Sequence, residues 1–192
     1  MRPEILARES SHAGYISVET LRVRLADGAE VIREIEAHGD AVAVLPYDPA
    51  ARVALIVRLF RVPAFDRFGD EAIEEACAGM IDGGEDGDTA RREALEELGL
   101  SLGELEFVAR VWPSPGVSAE RVTLFLAAYK PGDRVGAGGG AADEHEGVTV
   151  VERSLAALAA DADAGRIVDM KLLALVLSLR ARRPRLFDAW PP

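Results

Sequence analysis

The 192-residue sequence holds one cysteine, Cys77, so no disulfide can form within the chain. A lone thiol fits a reducing compartment. No apolar run comes near the roughly 18 residues that a membrane-spanning helix needs. The opening residues, MRPEILARESSHAG, lack the apolar stretch of a secretory signal. A soluble, cytoplasmic protein is the expectation. Positive charge is scarce as well: 22 Lys and Arg stand against 33 Asp and Glu, a net charge of −11. Such a chain repels a nucleic-acid backbone, and no basic stripe offsets the repulsion. Neither nucleic acid nor a membrane is therefore expected as a partner. Internal repeats and βαβ regularity are also missing, which points to an α+β architecture with a mixed sheet.

The rest of the composition is ordinary. With 49% hydrophobic and 29% charged residues, the chain can bury one core. Residues 20–36 alternate apolar and polar around Asp27-Gly28, which predicts a β-hairpin. A second, more buried hairpin is predicted from runs 41–45 and 53–60, with Tyr47-Asp48-Pro49 as the turn. Residues 63–72 read as loop. Residues 85–99 form the clearest helix: Asp88 or Thr89 can cap it, Ala94, Leu95 and Leu98 make its apolar face, and Gly99 ends it. Strands are predicted over 105–112 and 121–130, joined through a Pro/Gly/Ser turn at 113–116. The segment 132–147, GDRVGAGGGAADEHEG, reads as a mobile surface loop. A short strand at 148–151, helices over 153–163 and 168–182, and an irregular tail complete the chain.

Chemistry concentrates in residues 75–100, EACAGMIDGGEDGDTARREALEELGL. On a helix Glu93, Glu96 and Glu97 project toward one side, and like charges at that spacing oppose one another. Arg92 can offset part of this as a plain ion pair with Glu96, and solvated helices of this composition are common. Glu93 beside Glu97 is left over. A hard divalent cation accounts for the pair, because Mg2+ takes oxygen ligands and usually only one or two carboxylates. A glycine-bearing loop, Gly79 to Glu85, leads into the same helix.

Loop and helix together resemble the Nudix box, G-x5-E-x7-R-E-U-x-E-E-x-G-U, where U is bulky and aliphatic. Gly79, Glu85, Arg92, Glu93, Glu96, Glu97, Gly99 and Leu100 match. The sequence departs from it twice: six residues, not seven, separate Glu85 from Arg92, and Ala94 replaces a larger aliphatic residue. The first departure bears on how Glu85 meets the helix and leaves the spacing of Glu93, Glu96 and Glu97 untouched. Beyond the box, Arg33-Glu34, Arg61 within VRLFRVPA, and Ser114-Pro115-Gly116 leading to Glu120 are similar to the subfamily of ADP-ribose and GDP-mannose pyrophosphatases. The lead-in Glu75-Ala76-Cys77-Ala78-Gly79, the glycine run followed by acids and the shortened box lean toward the GDP-mannose branch. The SPGVSAER turn is as close to the ADP-ribose branch.

The resemblance implies the Nudix fold, a mixed sheet sandwiched between helices, with residues 1–38 as an N-terminal antiparallel β arm exchanged in a homodimer and 39–192 as the hydrolase domain. It implies Mg2+-dependent (or Mn2+-dependent) hydrolysis of a nucleoside diphosphate sugar, GDP-mannose first and ADP-ribose as the alternative. An inactive Nudix binding module and a triphosphatase are the more distant readings. The metal ligands it implies are Glu93, Glu97, Glu146 and the backbone carbonyl of Ala78, with Glu96 assisting and Arg92 orienting the glutamates. Glu144 is favoured as general base and Glu146 as ligand, the two roles being exchangeable. Arg33, Glu34, Arg61 and Glu120 are candidates for substrate contact. His145 reads as an exposed loop residue, and Cys77 as a small buried one.

Overall fold

The structure is a computed structural model and describes residues 1–140 and 147–188. The chain divides into two compact units, Met1–Asp40 with Val111–Val122, and Ala41–Arg110 with Thr123–Pro192. In the first, β1 (Glu4–Ala13), β2 (Ser17–Arg24) and β3 (Glu30–Ala37) form an antiparallel sheet in that order. The β2–β3 hairpin turns at the predicted place. Leu25 accepts from the Gly28 N–H, and the Asp27 carboxylate accepts from the Ala29 N–H at 3.0 Å. Strand β1 has no counterpart among the expected strands, because its mostly exposed residues carry no apolar alternation. The 111–122 segment binds the end of β3: Glu36 donates to the Val117 carbonyl and accepts from the Ala119 N–H.

The second unit is built on a seven-stranded sheet. Its strands are β4 (Ala41–Asp48), β5 (Val53–Leu59), β6 (Ile73–Glu75), β7 (Cys77–Met80), β8 (Glu106–Val111), β9 (Val122–Ala128) and β10 (Thr149–Ser154). The order is β10-β5-β4-β9-β8, with β6 on β5 and β7 on β4. Between β5 and β6 lies the helix α1 (Val62–Phe68), and α2 (Asp86–Leu98) follows β7. After β10 come α3 (Leu155–Asp163) and α4 (Met170–Arg182). All eight residues of β4 are buried, so both faces of the strand are covered. Val42 and Val44 share one core with Leu55, Val57, Ala90, Ala94 and Leu98. By the period of two, Ala43 and Leu45 face the other way; α4, with Leu172, Leu175, Val176 and Leu179 buried, packs on β4. This is the α+β architecture expected.

Five local expectations are corrected. Residues 62–68 are helical, not loop: Pro63 presets the first turn and Gly69 closes it in a left-handed conformation. None of its residues is buried, and its large apolar residues Val62, Phe65 and Phe68 are all exposed, so the helix has no core-facing stripe. Helix α2 starts earlier than its predicted caps. Glu85 occupies the cap position without a side-chain cap bond, while Asp86 accepts from Thr123 Oγ1 at 2.6 Å and Asp88 pairs with Arg91 at 3.2 Å. Leu95 is half exposed, and Ala90 takes its place, because Ala90, Ala94 and Leu98 repeat every four residues along the sheet-facing stripe. The described part of the 132–147 segment is not loosely attached: Val135 and Gly136 donate to the Gly99 carbonyl at 2.8 and 3.1 Å, and Gly139 and Gly140 donate to Glu97 and Glu96. Residues 141–146 lie outside the described residues. The turn of the second hairpin also moves outward, with Tyr47 and Asp48 inside β4 and Asp48 Oδ1 accepting from Ala50 and Ala51.

Ala94, the departure from the box pattern, is fully buried within the α2–sheet core. Restoring a larger residue, Ala94→Leu, is expected to overpack that core and cost about 1–3 kcal/mol. A denaturation midpoint equal to or above that of the parent would contradict the assignment.

Candidate active site

The site is built where α2 lies along β7. Glu97 sits on the buried side of α2, 6% exposed, and its Oε2 accepts from the Ala78 N–H at 3.2 Å. One turn earlier, the Glu93 carboxylate occupies the space that a side chain on Gly79 would fill: a Cβ there would lie 2.0 Å from Glu93 Oε1. Glycine at 79 is thus a condition for the close passage of helix over strand. Arg92 bridges two of the glutamates, reaching Glu93 Oε1 at 2.7 Å and Glu96 Oε2 at 2.8 Å. The Arg92–Glu96 pair expected at four residues is present, and the same guanidinium holds Glu93. Burial and the Glu97 carboxylate push the Cys77 thiol well above its ordinary range, so it is no nucleophile.

Two carboxylates side by side, one of them buried, against backbone amides of a strand make an oxygen-rich donor set suited to a hard cation. Among the described residues no three His, Cys, Asp or Glu side chains converge as a metal cage. The pair Glu93 and Glu97 is what the described residues offer, with the Ala78 backbone beside it. Glu144 and Glu146 lie outside the described residues.

Glu85 stands at the start of α2 and lines a separate open cavity of about 640 Å3 with Asp86, Arg91, Phe107, Arg110 and Phe125. Glu93, Glu96 and Glu97 do not line it. The structure thus brings together Ala78, Arg92, Glu93, Glu96 and Glu97, while Glu85 lines the cavity at the start of α2.

Residues 37–170 match the family model described as the NUDIX domain. The chain belongs to the Nudix hydrolase family. A GDP-mannose pyrophosphatase of Pectobacterium atrosepticum is 35% identical over 147 residues, covering 76% of this chain and 75% of the relative. An ADP-ribose pyrophosphatase of Escherichia coli is 37% identical over 155 residues, covering 77% of this chain and 73% of the relative. A crystal structure described as an ADP compounds hydrolase shares the fold, with a TM-score of 0.78 over 96% of both chains at 18% identity. In this Nudix chain the box is therefore one structural unit: the glycine-bearing loop, β7 ahead of it and the three glutamates of α2.

Arg33 and Glu34 are exposed on β3 in the first unit, where Arg33 Nη1 donates to the Ile32 carbonyl at 2.8 Å. Glu120 belongs to the same unit. Its N–H donates to Ser118 Oγ, and its carboxylate stands 3.7 Å from His38 Nε2, while His38 Nδ1 meets Glu36. Arg61 makes a two-pronged pair with the buried Glu75, at 2.7 and 3.2 Å. Lys171 Nζ reaches Glu75 at 3.2 Å and Asp169 at 2.8 Å. Asp169 caps α4 and accepts from the Ala76 N–H at 3.1 Å. Sequence reasoning missed this network. Its signals were Glu75 in the lead-in and Asp169 ahead of an apolar helix, and nothing local ties residues so far apart.

Burial alone would raise the Glu75 pKa, but Arg61 and Lys171 outweigh it and hold the carboxyl below its ordinary 4.5. A depressed carboxyl stabilises the fold above its unfolded value, and that contribution is lost as pH falls through the folded value. Glu75→Gln is expected to cost about 2 kcal/mol at neutral pH. The gap to the parent should shrink below pH 4.5. Urea melts at neutral and acidic pH check this; a gap that is constant across both contradicts it.

Proposed function

We propose that this chain hydrolyses the pyrophosphate of a nucleoside diphosphate sugar to a nucleoside monophosphate and a sugar phosphate. GDP-mannose is the favoured substrate, giving GMP and mannose 1-phosphate. The observation that carries the reading is the complete box glutamate set, with Glu93 and Glu97 laid against Ala78 and Gly79. The named relatives support the reaction class and weigh the two substrates about equally, at 35% and 37% identity. The lean to GDP-mannose rests on the Glu75–Gly79 lead-in, the glycine run ahead of the acids and the shortened box. ADP-ribose is the alternative.

Glu93, Glu97, the Ala78 carbonyl and Glu146 would hold Mg2+, or Mn2+ in its place. When bound, the cation supplies charge neutralisation and Lewis acidity at the diphosphate. Arg92 keeps Glu93 and Glu96 aimed by pairing with both, which also relieves the repulsion among the three glutamates. Glu144 takes the proton of the attacking water, a role open to a carboxylate within reach of it. Arg33 and Arg61, with Glu34 and Glu120, contact substrate, because a planar guanidinium can donate two hydrogen bonds to a phosphate. For Arg61 this means sharing its donors with Glu75. Residues 1–38 serve as an arm exchanged in a homodimer; an isolated hairpin is marginal in water and needs a partner surface. The protein acts in the cytoplasm. No helix among the described residues is long and apolar enough to cross a membrane.

Mg2+-dependent release of monophosphate, followed over a panel of GDP-mannose, ADP-ribose and other sugar nucleotides, tests the reading. Turnover should be highest on GDP-mannose and fall about a hundredfold or more in Glu97→Gln. Undiminished turnover in that variant would remove Glu97 from the site. Binding without turnover on every substrate would favour an inactive module. Light scattering should give the mass of a dimer, and a monomer would sink the exchanged arm.

A further inference from the structure

The last turn of α2 carries Glu96 and Glu97, and chain from well downstream closes it. Gly139 N–H donates to the Glu97 carbonyl at 2.8 Å and Gly140 N–H to the Glu96 carbonyl at 3.1 Å. A helix normally leaves its final carbonyls to solvent or to its own cap. The contact is backbone against backbone and leaves no room for a side chain on Gly138. A Cβ on Gly138 would lie 2.2 Å from the Glu97 carbonyl oxygen, and the residue also has a φ of +72°. Gly165 is a useful contrast, because its φ of +67° is nearly the same and nothing lies within 4 Å of its Cβ position.

We propose that Gly138 is a positioning residue for the Glu97 carboxylate, acting by letting the glycine run clamp the last turn of α2. The inference rests on the reading of Glu93 and Glu97 as metal ligands. The carbonyl and side chain of Glu97 hang from neighbouring bonds of one residue, so fixing the peptide plane fixes the direction in which the side chain leaves the helix. Helix ends otherwise fray, and a frayed last turn would loosen the Glu97 contact with Ala78. The same run leads directly into the residues that include Glu144 and Glu146. Sequence composition alone hides this role, because a glycine run reads as slack chain.

Mn2+ binding to the full chain, titrated by electron paramagnetic resonance, is the test, with circular dichroism to confirm folding. Gly138→Ala should weaken Mn2+ binding by about tenfold or more, the scale on which residues supporting metal ligands act. Gly165→Ala carries the left-handed strain without the contact and should bind Mn2+ as the parent does. Equal affinity in the parent and a folded Gly138→Ala overturns the clamp and leaves the ligand assignment standing. A parent that binds no Mn2+ removes the ligand assignment and the clamp together. Should Gly138→Ala not fold, amide exchange of the parent decides. Coupling is reciprocal, so Mg2+ should slow exchange at Gly139 and Gly140, and no change at those amides overturns the proposal.

Discussion

The close passage of α2 across β7 is the constraint on which the second unit turns. Glu97 is buried, and a buried carboxylate is tolerated only where donors meet it. The Ala78 N–H is one such donor. Glu93 lies over Gly79 in a space that any other residue would fill. The sheet must therefore present a strand with small residues and an amide N–H turned to the helix at this place, and Cys77-Ala78-Gly79, with the Ala78 N–H, does so. Packing on the far side of the sheet then follows, because β4, to which β7 is paired, is buried on both faces.

A second layer holds the strand itself. Glu75 and Ala76 precede the site strand and are fixed by Arg61, Lys171 and Asp169. A buried ion cluster of this kind adds little net stability compared with apolar packing, but removing one partner is costly. Its value is positional: it ties the start of α4 to the residues leading into Cys77. The box loop thus sits between two anchored elements, β7 on one side and α2 on the other.

Much of this was legible in the sequence. Asp27-Gly28 marked its hairpin, the β-branched runs marked β4 and β5, and the spacing of Arg92, Glu93, Glu96 and Glu97 marked the site helix. What was hidden depends on distant partners. Helix α1 leaves Val62, Phe65 and Phe68 exposed, so their spacing of three marks no core face. Leu95 looked like core because hydrophobicity alone cannot say which edge of a stripe meets the sheet. The pairing of Arg61 with Glu75 joins two residues of the same stretch of sequence, yet only the fold shows the two together. The glycine run looked slack because the α2 carbonyls that receive it lie in a different part of the chain.

The single thiol has a practical consequence. Cys77 is fully buried on β7 beneath α2, next to Glu97, and is the only sulfhydryl in the chain. A thiol reagent can reach it only after α2 and β7 have parted. Its labelling rate is therefore a built-in clock for the opening of the box, readable in the unmodified protein without a substrate or an introduced probe.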